Sequence, residues 1–184
     1  MFVIMGASNH SDFTRVQHDY YATDPQAVEE LLKVESFDKN ILEPCCGEGH
    51  ISKVLEENKY NVTSRDLYYR GYGVGGMDFF TTTSWHEDII TNPPYKYAKE
   101  FVEHSIKIID DGKRLAMLLK IQFLESVKRR ELFEENPPKY VYVFSKRANC
   151  VRNGVFTNYP SSAVCYCWYI WEKGFKGEPV IRWI

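Results

Sequence analysis

The stretch of sequence that decides the fold reads Asp88-Ile89-Ile90-Thr91-Asn92-Pro93-Pro94-Tyr95. Its first four residues have the apolar centre of a short strand. The two prolines that follow cannot continue a strand, because each ring fixes φ and removes an N–H. The chain is therefore predicted to turn a rigid corner directly after a strand. In open α/β sheets, ligands bind at the carboxyl ends of the strands, so this corner is a candidate binding site.

The corner offers groups that suit a flat molecule bearing an amino group. The side chain of Asn92 and the carbonyl of Pro93 can accept hydrogen bonds from the amine. The ring of Tyr95 can stack on a π system. We therefore take Asn92, Pro93, Pro94 and Tyr95 as candidate catalytic residues. An ordinary strand-to-loop turn is the alternative interpretation of the same four residues.

Strands and helices are predicted to alternate on both sides of this corner. Strands are expected at 40–43, 60–66, 88–91, 114–119, 140–145 and 163–171, with a short edge strand near 179–184. Helices are expected from Pro25, with Thr23 or Asp24 as the cap, and at 50–58, 96–109 and 124–135. This alternation predicts an α/β fold with a mostly parallel, seven-stranded sheet and helices on both faces. The final pair of strands has no helix between them, so the last strand is predicted to be antiparallel.

A second informative loop, Pro44-Cys45-Cys46-Gly47-Glu48-Gly49, lies between the first of these strands and a helix. Its two glycines let the backbone approach a ligand closely, and the helix N-terminus supplies N–H groups. The full dinucleotide pattern G-x-G-x-x-G is absent, because Ser52 stands where its third glycine would be. This disfavours an NAD-dependent oxidoreductase. A tight strand–helix turn is the alternative for the loop taken alone.

Three acidic residues follow one another at predicted strand ends. Glu43 adjoins the glycine loop, and Asp66 stands where a carboxylate can accept from both ribose hydroxyls. Asp78 can accept from an adenine amino group while the neighbouring Phe79 packs against the ring. Carboxylates in these places repel a pyrophosphate and suit a ligand with a cationic α-amino group and a sulfonium. S-adenosylmethionine meets that description.

Residues 43–49 resemble the cofactor-binding motif of class I S-adenosylmethionine-dependent methyltransferases, in the form [D/E]-P-x-x-G-x-G. Residues 92–95 resemble the catalytic motif of the amino-methyltransferases, most typically the DNA adenine N(6)-methyltransferases. Residues 20–25 resemble the N-terminal element that packs near the methionine moiety in those enzymes. The cofactor motif precedes the catalytic motif, which is the order of the γ-like group. Small phage and prophage enzymes look most similar overall, including at residues 119–125.

The resemblance implies a Rossmann-like class I methyltransferase fold. It also implies methyl transfer from S-adenosylmethionine to the exocyclic amino nitrogen of adenine in DNA. Asn92 and the Pro93 carbonyl would hold the target amine, and Tyr95 would stack on the base. The residues that it implies in cofactor binding are Tyr21, Thr23, Glu43, Pro44, Cys45, Gly47, Gly49, Asp66, Asp78, Phe79 and Asn92.

The length of 184 residues fits one domain, and we expect a single catalytic domain over residues 1–184. Family members that recognise long DNA sites carry a separate target-recognition segment, for which this chain has no room. Specificity is therefore expected from short loops, notably 146–161. Adenine or guanine in RNA and glutamine in protein are alternative substrates, because their nitrogens are also planar. A non-catalytic partner subunit with a methyltransferase fold is the alternative outside enzymes.

Charge is distributed unevenly along the chain. Residues 1–92 carry 7 Lys/Arg and 15 Asp/Glu, a net charge of −8, whereas residues 93–184 carry 16 and 10, a net charge of +6. Such an asymmetry can steer a polyanion to one face. The candidate phosphate contacts are Arg129, Arg130, Arg147 and Arg152. A solvated helix surface is the alternative interpretation of these basic residues.

The five cysteines are odd in number and form no C-x-x-C, which argues against both a disulfide framework and a metal site. A reducing cytoplasm is the expected compartment. No apolar run approaches the roughly 20 residues that a membrane span needs, and no signal peptide is recognisable. We therefore expect no membrane association. From the resemblance and the charge distribution we expect DNA, or alternatively RNA, as the partner. The protein is expected to be a monomer or a homodimer.

Overall fold

The computed structural model describes residues 21–151, Phe156 and residues 164–184. The strands of this part of the chain are β1 (Ala22–Thr23), β2 (Asn40–Glu43), β3 (Asn61–Ser64), β4 (Asp88–Thr91), β5 (Arg114–Lys120), β6 (Tyr140–Val143), β7 (Cys150–Val151), β8 (Tyr166–Glu172) and β9 (Val180–Trp183). The α-helices are α1 (Pro25–Val34), α2 (His50–Glu57), α3 (Ala98–Ile108) and α4 (Arg130–Glu135).

A sheet of seven of the described strands runs in the order β3-β2-β4-β5-β8-β6-β9. β2 pairs in parallel with β3 and β4, and β4 pairs in parallel with β5. β8 lies antiparallel between β5 and β6, and β9 pairs in parallel with β6 at the edge. The predicted mostly parallel sheet is confirmed, with the antiparallel strand at the predicted 163–171 segment. The edge strand that follows it, β9, runs in the same direction as the parallel strands β2 to β6 of the sheet.

The sheet is covered by helices on both faces, as predicted. On one face, α1 and α2 bury Val28, Leu31 and Leu55 against alternate residues of the central strands. On the other face, α3 and α4 bury Phe101 and Leu132 against the remaining ones. Six of the seven residues of β8 are buried, because a central strand that is covered on both sides packs with both sets of side chains.

The region predicted as one helix at 124–135 is divided in the structure. Two 3₁₀ turns, Ile121–Leu124 and Val127–Arg129, precede the short helix α4. Ser126 separates them, and its side-chain oxygen accepts from the backbone N–H two residues later at 3.1 Å. A side chain that bonds its own backbone in this way favours a turn over a continuing helix. The prediction of a continuous helix was therefore wrong.

The segment before α1 is held by an element that the sequence analysis did not predict. β1 and β7 form a small antiparallel ladder that joins this segment to the chain beyond β6. Asp24 then caps α1, since its Oδ1 accepts from the N–H two residues later at 3.0 Å. Pro25 occupies the first helical position, where its missing N–H costs nothing. Among the residues that the structure describes, no helix combines the length and apolar content needed to cross a membrane.

Candidate active site

A cavity of ≈ 370 Å³ lies at the carboxyl ends of the parallel strands. It is bounded by the loop after β2, the segment after β3 and the corner after β4, because parallel strands bring their carboxyl ends to one edge. Most of the predicted catalytic and cofactor residues line it. They are Tyr21, Thr23, Glu43, Pro44, Cys45, Asp66, Asp78, Phe79, Asn92, Pro93, Pro94 and Tyr95.

Gly47 and Gly49, the other two predicted cofactor residues, shape the loop after β2 rather than line the cavity. Their φ angles are 55° and 82°, in the left-handed region that favours glycine. Gly49 is the N-cap of α2. A Cβ on Gly49 would meet the ring of Tyr72 at 2.5 Å. The loop therefore needs glycine there for its conformation and for the contact with Tyr72.

The carboxylate of Asp66 ties two walls of the cavity together. Its Oδ2 accepts from the N–H of Gly47, and its Oδ1 accepts from the N–H of Tyr68, both at 2.9 Å. Each carboxylate oxygen can accept more than one hydrogen bond. Asp66 can therefore still accept from hydroxyl groups in the cavity. Its assignment to the ribose hydroxyls stays a prediction.

Glu43 is almost fully buried at the end of β2, with 1% of its surface exposed. Burial raises the pKa of Glu43 from 4.5 to about 8, and the negative charge of Asp66 adds to the effect. A hydrogen bond from the hydroxyl of Ser52 acts in the opposite direction. Burial thus favours the protonated form of this carboxyl group. A cation placed beside it would favour its ionised form.

Asp78 and Phe79 also line the cavity. Asp78 caps a 3₁₀ turn, Phe79–Thr81, by accepting the N–H of Phe80 at 3.0 Å. Phe79 is stacked on Phe101 of α3, with ring centroids 4.9 Å apart and an interplanar angle of 20°. A flat aromatic wall therefore stands beside a carboxylate. This arrangement can hold a heterocycle that carries an amino group.

The side-chain amide of Asn92 is oriented by the chain segment that forms β1. Its Nδ2 donates to Oγ1 of Thr23 at 3.0 Å and lies 3.4 Å from the carbonyl oxygen of Tyr21. It is also 3.8 Å from Sγ of Cys150 in β7. Since the amide nitrogen is used by the protein, the amide oxygen is the atom left to accept from a ligand. Pro93 follows Asn92 in the chain, and its carbonyl belongs to the same corner.

Tyr95 contacts two uncharged side chains, Cys150 and Tyr166, and one lysine, Lys120. Its hydroxyl donates to Sγ of Cys150 at 3.7 Å, and its ring centroid lies 6.1 Å from that of Tyr166. The ammonium of Lys120 lies 5.3 Å from the centre of the ring. Burial raises the pKa of Tyr95 well above its usual value and that of Cys150 to about 12. Both therefore stay protonated, and Cys150 is no thiolate nucleophile.

Several residues that line the cavity were not among the predicted site residues. These are Ala22, Cys46, His50, Ile51, Leu67, Tyr68, Arg70, Met77, Phe80, Tyr97 and Phe101. Tyr97 and Phe101 could have been found, because residues four apart share a helix face and both lie in the helix predicted at 96–109. The course of residues 67–77 depends on hydrogen bonds to β3 and the loop after it. No local pattern predicts those bonds.

Arg129, a predicted phosphate contact, is used within the protein. Its Nε donates to the carbonyl oxygen of Phe123 at 2.7 Å, and its NH2 group donates to those of Gln122 and Glu125. The guanidinium also lies 4.7 Å from the ring centre of Phe123. Arg129 thus closes the turns that follow β5. These hydrogen bonds use the Nε and NH2 groups of the guanidinium, so a phosphate contact by Arg129 would fall to its NH1 group.

Of the other three predicted phosphate contacts, Arg130 and Arg147 lie outside the lining of the main cavity. Arg130 pairs with Glu134 one helical turn later, with 2.7 Å between Nε and Oε1. Arg147 lines a separate cavity of ≈ 230 Å³ beyond β6. Arg152 lies outside the described residues. Phosphate binding by these arginines stays a prediction.

No family model and no curated protein matches this chain. Its fold resembles that of a Listeria monocytogenes protein proposed to be a class I S-adenosylmethionine-dependent methyltransferase, at 15% identity and a TM-score of 0.59 over 94% of this chain and 68% of the other. An S-adenosylmethionine-dependent O-methyltransferase from Thermotoga maritima gives 14% identity and a TM-score of 0.53 over 84% and 66%.

The type IIG restriction endonuclease BpuSI matches at 14% identity and a TM-score of 0.56. The match covers 83% of this chain and 24% of that much longer enzyme. At such identities the similarity concerns the fold alone. The order and direction of the strands and the cavity at their carboxyl ends agree with it. The chain therefore has the Rossmann-like fold of the class I methyltransferases.

Proposed function

We propose that this protein transfers the methyl group of S-adenosylmethionine to the exocyclic amino nitrogen of adenine in DNA. The orientation of Asn92 carries the proposal. Its amide nitrogen donates a hydrogen bond to Oγ1 of Thr23 at 3.0 Å, so its oxygen is left to accept from an amine. Asn92 and Pro93 both line a cavity of the methyltransferase fold, where this oxygen and the Pro93 carbonyl would act as a pair of acceptors.

The residues present fit S-adenosylmethionine as the cofactor. Glu43, Asp66 and Asp78 line one cavity, and carboxyl groups suit a ligand with two positive charges. Asp66 would accept from the ribose hydroxyls, while Asp78 and Phe79 would hold the adenine. Thr23 and Tyr21 stand near the catalytic corner, where the methionine part would lie. When bound, the cofactor supplies an electrophilic methyl group on a positively charged sulfur.

The acceptors of the corner explain how a weak nucleophile could be activated. The lone pair of the adenine amine is delocalised into the ring. Hydrogen bonds from its two N–H groups to Asn92 Oδ1 and the Pro93 carbonyl favour a pyramidal nitrogen with an available lone pair. The same two oxygens stabilise the positive charge that develops on that nitrogen. Positioning supplies the rest of the rate enhancement, and no cysteine needs to act as a nucleophile.

Tyr95 would hold the target base by stacking. Flipping a base out of a duplex costs a few kcal/mol, and stacking on an aromatic ring returns about 1–3 kcal/mol. The net charge of +6 on residues 93–184 supports a polyanionic substrate. Those residues include the turns after β5 and the chain beyond β6, which both leave the sheet at the edge that carries the cavity.

The first experiment is methyl transfer from labelled S-adenosylmethionine to unmethylated DNA, in parallel with RNA and a protein extract, followed by nucleoside mass analysis. Methylated adenine from DNA is the expected product. Label in RNA or protein alone would keep the chemistry and change the substrate. Cofactor binding without any transfer would instead favour a non-catalytic partner subunit.

Two variants separate the proposed roles. Asn92→Ala should abolish turnover and leave cofactor affinity nearly unchanged, because the side chain acts on the amine. Asp66→Ala should weaken cofactor binding first. Calorimetric titration with the cofactor, alongside the transfer assay, measures both effects. A loss of cofactor affinity in the Asn92 variant would count against its assignment to the target amine.

A further inference from the structure

Lys120 stands beside the catalytic corner without having been assigned any role. It is the last residue of β5 and is exposed. Because β5 pairs in parallel with β4, its carboxyl end lies next to the corner that follows β4. The ammonium lies 5.3 Å from the centre of the Tyr95 ring. Across the sheet, Lys120 is paired with Tyr166 of β8, which also contacts Tyr95.

Within the described part of the chain, no carboxylate neutralises the charge of Lys120. The ion pairs found among the described residues include no partner within 4.0 Å of its ammonium. This distinguishes it from Arg130, which is paired with Glu134, and from Arg129, which donates to three carbonyls. Lys120 is therefore a cation beside the catalytic tyrosine that can take an anionic ligand.

We propose that Lys120 binds the phosphate of the nucleotide whose base stacks on Tyr95, an inference that rests on the proposed function. A base and its phosphate are joined through one sugar, so a cation beside the stacking ring lies within side-chain reach of that phosphate. A compact ammonium on a flexible four-carbon chain suits such a contact. The contact with the Tyr95 ring is of the weak, exposed kind and is readily exchanged for a phosphate.

The exchange would link entry of the target base at Tyr95 to binding of the DNA backbone by Lys120. Before the base enters, the ammonium rests on the face of the Tyr95 ring. As the base stacks, the ammonium moves to the phosphate and keeps the target nucleotide at the corner. The charge of Lys120 is then what matters, so Lys120→Arg should retain most of the binding and Lys120→Ala should lose it.

The test is binding of a fluorescein-labelled oligonucleotide, measured by fluorescence anisotropy over a range of salt concentrations. Lys120→Ala should weaken binding about tenfold. It should also reduce the magnitude of the slope of log affinity against log salt concentration by about 1, so that binding depends less steeply on salt. The matched control is Lys107→Ala. Lys107 is exposed and lies in the last turn of α3, at the end away from the corner. It should change neither quantity.

Two further measurements complete the test. Unchanged affinity for S-adenosylmethionine shows that the Lys120 variants are folded. If the wild type methylates DNA and Lys120→Ala binds it with wild-type affinity and salt slope, the inference is wrong and the proposed function stands. Slower transfer with an unchanged slope would also overturn it, since Lys120 would then act only through Tyr95. A wild type that neither binds nor methylates DNA overturns the proposed function, and the inference with it.

Discussion

The amide nitrogen of Asn92 lies 3.0 Å from the hydroxyl oxygen of Thr23, a residue 69 positions earlier in the chain. Thr23 belongs to β1, which is held in place by its pairing with β7. The orientation of the Asn92 amide therefore depends on two segments remote from it in sequence. Neither segment belongs to the main sheet.

Replacing Thr23 tests this relationship. Thr23→Val keeps the shape of a residue that is only 3% exposed but removes the 3.0 Å acceptor, which leaves only the longer contacts to the Tyr21 carbonyl and to Cys150 to orient the amide of Asn92. We expect the single-turnover rate of methyl transfer to fall about a hundredfold, with a smaller change in cofactor affinity. Thr23→Ser keeps the hydroxyl and should remain close to wild type. Weaker cofactor binding with an unchanged rate at saturating cofactor would make Thr23 a cofactor ligand alone.

Two glycines allow the energetic cost of a left-handed backbone conformation to be measured separately from the cost of a clash with a side chain. Gly49 and Gly76 both have positive φ, of 82° and 73°. A Cβ on Gly49 would meet the ring of Tyr72, whereas nothing lies within 4 Å of one on Gly76. Gly76→Ala should lower the free energy of unfolding by about 1 kcal/mol. Gly49→Ala should lower it by about 2 kcal/mol more. Urea denaturation measures both, and equal losses would show that the Tyr72 ring moves aside freely.

The parts of the site that local sequence predicts are those built from a strand and the loop after it. The strand at 88–91 has the predicted bounds, and its corner lines the cavity together with Glu43, Asp66 and Asp78. Proline chemistry and strand alternation act over a few residues, so they are visible in the sequence. Since parallel strands end at one edge, the acids that follow β2 and β3, Glu43 and Asp66, meet at the cavity. The prediction that Asp78 stands at a strand end was wrong, because Asp78 caps a 3₁₀ turn between β3 and β4, although it lines the same cavity.

The remainder of the site depends on contacts between distant segments. The two-residue strands β1 and β7 have no periodicity that could reveal them, and they pair over more than a hundred residues of chain. The cation over Tyr95 comes from β5, and its position follows from the strand order. Arg129 was predicted to contact phosphate, but its guanidinium donates to backbone carbonyls. Because every residue has a backbone carbonyl, the sequence does not show which of them will accept from an arginine.

Arg129 is expected to act on stability rather than on binding. Arg129→Ala removes hydrogen bonds to the carbonyls of Phe123, Gln122 and Glu125. We expect a loss of about 1–2 kcal/mol in the free energy of unfolding, with the salt slope of DNA binding unchanged. Arg130→Ala, which removes an exposed pair one helical turn apart, is the control and should leave stability unchanged. A lower salt slope in Arg129→Ala would instead restore its predicted phosphate contact.

Glu43 should make the stability of the protein depend on pH in an unusual direction. Burial raises its pKa from 4.5 to about 8 in the folded state. Between these two values the folded protein holds a proton that the unfolded chain has lost. The contribution of Glu43 to the free energy of unfolding is therefore fully present below about pH 4.5 and falls as the pH rises to about 8. The slope can reach about 1.4 kcal/mol per pH unit.

The variant Glu43→Gln isolates this contribution, because its amide cannot ionise and its carbonyl can still accept from Ser52. We expect it to match the wild type near pH 5 and to be the more stable protein at pH 8. Urea denaturation of both proteins across this range measures the difference, and other titrating groups cancel in the comparison. If the two free energies changed in parallel throughout, the carboxyl group of Glu43 would have an ordinary pKa. A cationic cofactor would then find it already ionised at neutral pH.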